Sequence, residues 1–164
     1  MIEFKKIPFY QAKEIFTRYH YLGYLSRASS VNLAVYQNKK FIGCVSLHFS
    51  PQGIKDKQTI MLSRFWLKYN EKNLASKVLG RLIKYLKINY KQYRRLISYA
   101  CSCMHEGTIY KASNFKFVGI SKAPKDNRSK RFVWRKKTKP SLKTVYKIST
   151  HYYHDKLKFE YVFR

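Results

Sequence analysis

Acidic residues are scarce in this 164-residue chain, which carries 8 Asp and Glu against 35 Lys and Arg. The formal net charge of +27 exceeds what solubility requires, and such a charge repels itself unless a polyanion neutralises it. Nucleic acid is therefore the expected partner. A lysine-biased genome would raise the Lys and Tyr contents together without any such partner, and this alternative stays open at the level of composition.

Cysteine is also scarce, and long apolar runs are missing. The three cysteines, Cys44, Cys101 and Cys103, cannot all pair with one another. The chain opens with polar residues such as Glu3 and Lys5, which argues against a signal segment. No stretch approaches the ~18 consecutive apolar residues of a membrane span. We therefore expect a soluble, reduced, intracellular protein with no membrane partner.

The residues that are abundant suit one domain with surfaces for nucleic acid. The hydrophobic share of 45% is enough to build one core in a chain of this length. Aromatic residues make up 17%, and the fifteen tyrosines are interleaved with lysines. Such a surface offers stacking faces for bases and positive charge for phosphates.

Hydrophobic periodicity predicts an alternation of helices and strands. In chain order, the pattern predicts a helix over 7–19, a hairpin over 31–49, a strand over 59–67, a helix over 73–86, a buried strand over 96–99, a short helix over 108–115, a strand beginning at 117 and a last strand in "KLKFEYVFR". The strand, helix, strand unit over 96–118 predicts parallel pairing. Together these elements predict an α/β (α+β) domain over 1–164, with a mixed, mostly antiparallel sheet flanked by helices.

A basic excursion within that domain is predicted over 122–143, where ten Lys or Arg face the single acid Asp126. Pro124 and Pro140 interrupt any helix there, and Phe132, Val133 and Trp134 would anchor the segment. Direct phosphate contact and a merely solvated loop remain equally open. The candidate nucleic-acid contacts are Lys122, Lys125, Arg128, Lys130, Arg131, Arg135, Lys136 and Lys137.

Several short motifs, taken in their order along the chain, carry a family resemblance. They are "RYHYLG" at 18–23, "LSRFWL" at 62–67, the helix at 73–86, "SYA" at 98–100 and "HEGTIYKASNFKFVG" at 105–119. Over roughly residues 15–120 they resemble the phage Mom family of DNA-modification proteins. The segment "GTIYKASNF" is the most specific of them. The order of elements is also similar to that of the GNAT acyltransferase fold.

The resemblance implies an activity as well as a fold. Family members convert adenine in DNA to N6-carbamoylmethyl-adenine and so shield phage DNA from restriction. The resemblance therefore implies double-stranded DNA and an acetyl-CoA-related donor as partners. It also implies a phage or prophage origin. Adenine N6 lies inside the duplex with its lone pair delocalised into the ring, so the enzyme must extrude the base, hold it and remove a proton. An acyltransferase acting on tRNA or protein amines, and a nucleic-acid-binding protein with a decayed site, are the alternatives.

Four residues are candidates for catalysis by the same resemblance. His20 is a candidate general base at a helix end, with Tyr21 as its stacking or hydrogen-bonding partner. Arg64 is the only charge in "MLSRFWL", which predicts an anionic partner, either a ligand or an internal acid. Tyr110 is a candidate general acid or orienting group. The alternatives for His20 and Tyr21 are a helix cap and a core aromatic.

Further residues are candidates for substrate or donor binding. Ordinary GNAT enzymes hold a pyrophosphate on a glycine-rich turn, but here the turn reads "KYNEKNLAS" at 68–76, without glycine. An atypical cradle would use Lys68, Lys72, Asn73 and Ser76. Asn114 suits an adenine edge or a helix C-cap. The complete set of binding candidates is Ser63, Asn73, Ser76, His105 and Asn114.

The loop after "SYA" departs from the family pattern. Many members have an aspartate there, whereas this chain has Cys101, and Glu106 is the candidate replacement carboxylate. Cys101, Cys103 and His105 form a weak metal pattern that lacks a fourth ligand. A nucleophilic cysteine activated by His105 is the remaining alternative. We expect no metal site here.

Overall fold

A mixed seven-stranded sheet with helices on both faces forms the body of the protein. The computed structural model describes residues 1–27, 29–51, 53–102, 106–122 and 155–163, and the backbone of 132–133 and 149–150. In chain order the elements are β1 (Ile2–Ile7), α1 (Phe9–Tyr19), β2 (Val31–Gln37), β3 (Lys40–Phe49), β4 (Thr59–Leu67), α2 (Leu74–Asn89), β5 (Arg95–Cys101), α3 (Thr108–Lys111), β6 (Lys116–Ser121), β7 (Phe132–Val133), β8 (Ser149–Thr150) and β9 (Lys156–Val162).

The strand order of the main sheet is β1-β2-β3-β4-β5-β9-β6. The first four strands form an antiparallel meander, β4 pairs with β5 in parallel across α2, and β9 runs antiparallel to both β5 and β6. The short strands β7 and β8 pair with each other. This arrangement confirms the predicted α/β (α+β) class with a mixed, mostly antiparallel sheet. Across the described residues, no helix is long and apolar enough to cross a bilayer.

The two faces of the sheet carry separate cores because side chains alternate along each strand. On one face, Val45 and Leu62 belong to a large cluster with the apolar stripe of α2. On the other face, Cys44 and Trp66 pack with Phe16 of α1. We call these the α2 face and the α1 face.

The helices begin and end where local chemistry favours it. Pro8 precedes α1 with φ −68°, the value that its ring imposes, and the helix ends at His20, whose backbone is extended. Asn73 precedes α2 in the left-handed conformation, with φ 62°. Asparagine tolerates that region better than most residues, so this turn adopts a glycine-type backbone without a glycine.

Two predictions about the sheet need correction. The strand β1 was not predicted, because only Ile2 and Phe4 alternate with polar residues over its short length. The predicted parallel pairing between 96–99 and the strand that begins at 117 is wrong. β5 and β6 run in the same direction, but β9 from the far end of the chain lies between them and pairs with both. Apart from Lys122 and the backbone of 132–133, the basic excursion lies outside the described residues.

Candidate active site

The sheet opens into a fork between β4 and β5. Parallel pairing runs from Thr59 and Arg95 to Leu62 and Ser98. Beyond that point β4 stays with β3, and β5 stays with β9. Leu62 and Arg64 pair with consecutive residues of β3, so Ser63 is the extra residue of a β-bulge. A bulge bends its strand and increases the local twist, which explains why β4 leaves β5 here.

The apex of the fork holds a chain of hydroxyl groups. Ser98 Oγ lies 2.8 Å from the Tyr110 hydroxyl oxygen and 3.3 Å from the Leu62 carbonyl oxygen. Ser98 donates its one hydroxyl proton to the Tyr110 oxygen, which leaves the phenol proton of Tyr110 for another acceptor. Ser98 is 1% exposed and Tyr110 is 8% exposed. The pair is thus ordered and shielded at the point where the sheet divides.

The surroundings of Tyr110 keep its phenol protonated. Its ring stacks on Phe159 at 5.2 Å and meets Phe115 edge-on at 5.5 Å. Burial raises the pKa of Tyr110 above its usual value, and the hydrogen bond with Ser98 opposes this only in part. With its pKa raised, the phenol stays protonated at neutral pH and is a weaker acid than an ordinary tyrosine. Burial therefore suits the predicted orienting role, and the acid role of Tyr110 stays a prediction.

Gly107 is the residue that lets Tyr110 reach this position. Its φ of 73° lies in the left-handed region, and a Cβ there would overlap the Phe159 ring. The glycine of "GTIY" therefore allows the first turn of α3 to pack directly against the ring on which Tyr110 stacks.

Arg64 lies within β4 just after the bulge, on the α1 face with Trp66. Its Nε donates to the Tyr24 carbonyl at 3.2 Å, and its Nη1 donates to the Ser63 carbonyl at 2.6 Å. The guanidinium carbon lies 4.7 Å from the centre of the Tyr24 ring. None of the described Asp and Glu residues forms a salt bridge with Arg64. The alternative of an internal ion pair is therefore not found among these residues. The guanidinium is held in place by neutral groups and keeps N–H groups for an anion.

His20 and Tyr21 lie in the turn that leads from α1 towards Tyr24. The Leu22 backbone N–H donates to His20 Nδ1 at 3.2 Å. In neutral His20 the proton is therefore on Nε2, which makes Nε2 the donor. The imidazole stacks on Tyr21 at 4.5 Å and meets Phe16 edge-on at 5.7 Å. Tyr21 is half-buried and so is not a core aromatic.

These residues approach the fork from opposite faces of the sheet. Tyr110 and Ser98 lie on the α2 face, whereas Arg64 lies on the α1 face beside the turn that carries His20. If β4 and β5 stayed paired here, the sheet would separate Tyr110 from Arg64. The two groups flank the place where the pairing of β4 and β5 ends, after Leu62 and Ser98.

Sequence reasoning missed several residues that build this region. Ser98 stood in the quoted "SYA" motif, but nothing in the sequence linked it to Tyr110. Tyr24 had no signal beyond its position after a glycine. On the α1 face, Ser29 Oγ donates to Asn32 Oδ1 at 2.7 Å and lies 2.6 Å from Ser46 Oγ. Ser46 pairs with Arg64 across the strands, so this buried polar group borders the arginine.

The remaining predicted binding residues lie on turns. Ser76 Oγ donates to the Asn73 carbonyl at 3.0 Å, which orders the first turn of α2. Asn114 has φ 62°, and the bonds from Asn114 N to Lys111 O and from Phe115 N to Tyr110 O close a Schellman motif. The helix-end alternative for Asn114 therefore has direct support, and its role at a base edge stays a prediction.

The thiols give no sign of a metal centre in the part of the chain that is described, where no group of three metal-binding side chains occurs. Cys103 and His105 lie outside that part, as do the predicted DNA contacts from Lys125 to Lys137. Cys44 is fully buried, and burial raises its pKa to about 12, so it is not a nucleophile.

Comparisons with known proteins agree with this geometry. A model of the Mom protein family matches residues 1–162. An N-acetyltransferase from Staphylococcus aureus Mu50 is 16% identical with a TM-score of 0.60, covering 99% of this chain and 97% of its own. A GNAT family acetyltransferase from Elizabethkingia anophelis, with acetyl-CoA bound, is 16% identical with a TM-score of 0.61, covering 99% and 98%. The ribosomal-protein-S18-alanine N-acetyltransferase from Escherichia coli is 12% identical with a TM-score of 0.61, covering 99% and 94%.

At these identities the likeness shows the fold, which confirms the predicted GNAT-like architecture. No curated protein matches the chain.

Proposed function

Because the chain belongs to the Mom protein family, we propose that it is a transferase that adds a carbamoylmethyl-type group to N6 of adenine in double-stranded DNA. Such a modification would protect phage DNA from restriction, and the protein would act in the host cytoplasm. The observation that carries the proposal is the fork, where a protonated tyrosine on the α2 face and an arginine held by neutral groups on the α1 face flank the separation of β4 and β5, in a chain of net charge +27.

The α1 face would take the adenine. An extruded base needs aromatic surfaces and hydrogen-bonding groups around it, and the turn after α1 supplies both. Tyr21 stacks on His20, and Tyr24 lies under the Arg64 guanidinium. With Nδ1 engaged by Leu22, His20 would offer Nε2–H to a ring nitrogen of the base. It would serve as the proton acceptor only where its Nδ1 leaves the Leu22 contact.

The fork and the first turn of α2 would take the donor. A Bacillus subtilis acetyltransferase with this fold was solved with CoA, and the Elizabethkingia anophelis enzyme with acetyl-CoA. Asn73 adopts the left-handed backbone that a glycine-rich phosphate turn needs. The Leu74 N–H donates to the Glu71 carbonyl, so an anion at the N-terminus of α2 would meet the N–H groups that follow it. Lys72 is exposed beside this turn. A CoA-type donor, when bound, would carry the carbamoylmethyl unit on its sulfur, so that the carbon–sulfur bond breaks as the bond to N6 forms and the thiolate leaves.

The chain's own residues would then divide the work. Arg64 stabilises negative charge that develops on the transferred group, because its guanidinium is already oriented by Tyr24 and Ser63. Tyr110 delivers a proton to the leaving group, and Ser98 positions the phenol. The proton of the adenine amine would pass to His20 on the α1 face, once its Nδ1 has left the Leu22 N–H.

Mass analysis of nucleosides from cells that express the protein tests the proposal. We expect a deoxyadenosine whose mass is raised by a carbamoylmethyl group, and unmodified deoxyadenosine in cells that express Tyr110→Phe. Modified nucleosides in tRNA, or acylated protein amines, would instead support the second candidate. That candidate is favoured by one observation, the fold shared with an enzyme whose acceptor is a ribosomal-protein alanine. Tight DNA binding without any covalent product would support a binding protein with a decayed site.

A further inference from the structure

An exposed aromatic stack lies beside the candidate site and has no part in the roles assigned above. The rings of Tyr19 and Trp66 are 4.9 Å apart at an angle of 15°, so they are almost parallel. Trp66 is half-buried and also contacts Phe41, with ring centres 6.3 Å apart. Tyr19 is 42% exposed. One face of Tyr19 is thus backed by a rigid aromatic layer, while a large part of the residue remains in solvent.

The stack lies next to the residues proposed to hold the adenine. Trp66 follows Arg64 by two positions on β4, which places both on the α1 face about 7 Å apart along the strand. Tyr19 is the last residue of α1 and directly precedes His20. A strand of DNA that delivers a base to His20 and Arg64 would therefore pass within reach of Tyr19.

The charge around the stack suits the same partner. The Arg18 guanidinium lies over the Tyr19 ring, with its carbon 5.8 Å from the ring centre. A base that stacks on the face of Tyr19 away from Trp66 would therefore displace this guanidinium towards a phosphate. An exposed aromatic ring with an adjacent arginine is the combination that proteins use to bind single-stranded nucleic acid, where the ring stacks on a base and the cation meets a phosphate. The rest of the chain is strongly cationic, which disfavours a basic or neutral partner relative to a polyanion.

We propose that Tyr19, backed by Trp66, is a stacking platform for an unpaired nucleobase that neighbours the extruded adenine. The proposal rests on the proposed function for the identity of the strand. It adds a second contact that recognises base planes rather than phosphates. It therefore predicts that the protein discriminates between a strand with bases and a strand without them.

Fluorescence titration provides the test. The chain has two tryptophans, so a Trp134→Phe background leaves Trp66 as the reporter. The probes are a short single-stranded oligodeoxynucleotide and a strand of equal length and charge in which every nucleotide is abasic. We expect the first to quench Trp66 and to bind about five- to hundredfold more tightly, which corresponds to ~1–3 kcal/mol for one stacked base. Equal affinity for the two strands would overturn the proposal.

Variants then separate the platform from general charge. Tyr19→Leu should weaken binding of the base-containing strand without changing the slope of log affinity against log salt, and Tyr19→Phe should restore the affinity. Arg18→Ala should instead reduce that slope by about 0.7, the value for one phosphate contact on a single strand. Tyr10→Leu is the matched control, because Tyr10 is on the same helix and is 68% exposed. Equal effects of Tyr10→Leu and Tyr19→Leu would contradict the assignment.

The outcome can be separated from that of the proposed function. Modified deoxyadenosine without base-dependent binding would remove the platform and leave the transferase intact. Base-dependent binding without a covalent product would support the platform and contradict the proposed transferase activity. Thermal unfolding of each variant, followed by circular dichroism, shows whether it is folded before its affinity is compared.

Discussion

The hydroxyl oxygens of Ser98 and Tyr110 lie 2.8 Å apart where β4 and β5 separate. Ser98 belongs to the last parallel pair of the two strands, and Tyr110 belongs to the short helix that follows β5. The contact therefore ties α3 to the apex of the fork. It also couples the orientation of the phenol to the backbone carbonyl of Leu62.

Loss of either hydroxyl should have a different kinetic signature. Tyr110→Phe should abolish the covalent product and leave DNA affinity largely unchanged, because the phenol donates a proton and contacts no phosphate.

The hydrogen bond from Ser98 lowers the pKa of Tyr110, so Ser98→Ala should raise that pKa further and move the alkaline limit of kcat to higher pH, with a lower kcat. The pH profile of DNA modification measures both effects. Ser113→Ala is the control, since Ser113 is buried in the same region but bonds to the Ile109 carbonyl.

Alkaline stability follows from the same burial. The folded-state pKa of Tyr110 lies above its unfolded value of about 10. Its contribution to stability is therefore complete below about pH 10 and is lost as the pH rises towards the folded-state pKa. The decline in the free energy of unfolding above that pH should be shallower in Tyr110→Phe than in the parent protein. Urea unfolding at several pH values measures this decline. An equal decline in Tyr110→Phe and the parent protein would contradict a buried phenol with a raised pKa.

Replacement of Arg64 should remove activity through charge and geometry. Arg64→Ala should reduce kcat by about 10²–10³, the range for the loss of one oriented donor at developing negative charge. Arg64→Lys should recover little, because a compact ammonium lacks the planar fork with which Arg64 meets the Tyr24 and Ser63 carbonyls. Arg81→Ala, on the exposed side of α2, removes the same charge as a control. A parallel loss of DNA affinity in Arg64→Ala alone would show that Arg64 binds phosphate instead.

Local patterns predicted most of the sheet because they repeat over many residues. The hairpin over 31–49 and the strand over 59–67 agree closely with β2, β3 and β4, and the apolar stripe of α2 was visible as a helical period. The position of β9 between β5 and β6 was not predictable, since no local pattern records which distant strands pair. The short helix α3 was predicted to reach 115 but ends at Lys111, because the Schellman motif at Asn114 ends it.

The family resemblance singled out His20, Arg64 and Tyr110, whose roles stay predictions, but the sequence did not predict how these residues are arranged. Their arrangement depends on the bulge at Ser63 and on the place where pairing between β4 and β5 ends, which are properties of the assembled sheet. Ser98 and Tyr24 were missed for the same reason, since each acts through a contact with a residue far away in the sequence.

The basic excursion over 122–143 is predicted to bind the DNA backbone. Neutralisation of three of its Lys or Arg residues should reduce the slope of log affinity against log salt by about 0.9 for each phosphate that the variant no longer neutralises. The matched control neutralises Lys77, Arg81 and Lys84, which lie on the exposed side of α2 and make the same change in net charge. Filter binding at several salt concentrations measures both slopes. An unchanged slope for the excursion variant, or equal changes in both, would show that the excursion makes no specific phosphate contact.

Gly107 should be the glycine most sensitive to substitution among those that support the candidate site. Gly107→Ala combines an unfavourable positive φ with an overlap between the new methyl group and the Phe159 ring, which should cost about 2–4 kcal/mol of stability and displace Tyr110. Gly80→Ala is the contrast, because Gly80 lies inside α2 with no atom within 4 Å of an added Cβ. That change should stabilise the protein by roughly 0.5–1 kcal/mol, since alanine loses less backbone entropy in a helix. Urea unfolding of the two variants measures the difference, and activity measured where both are folded tests whether the phenol has moved. Equal stability of the two variants would mean that α3 does not pack against Phe159 through Gly107.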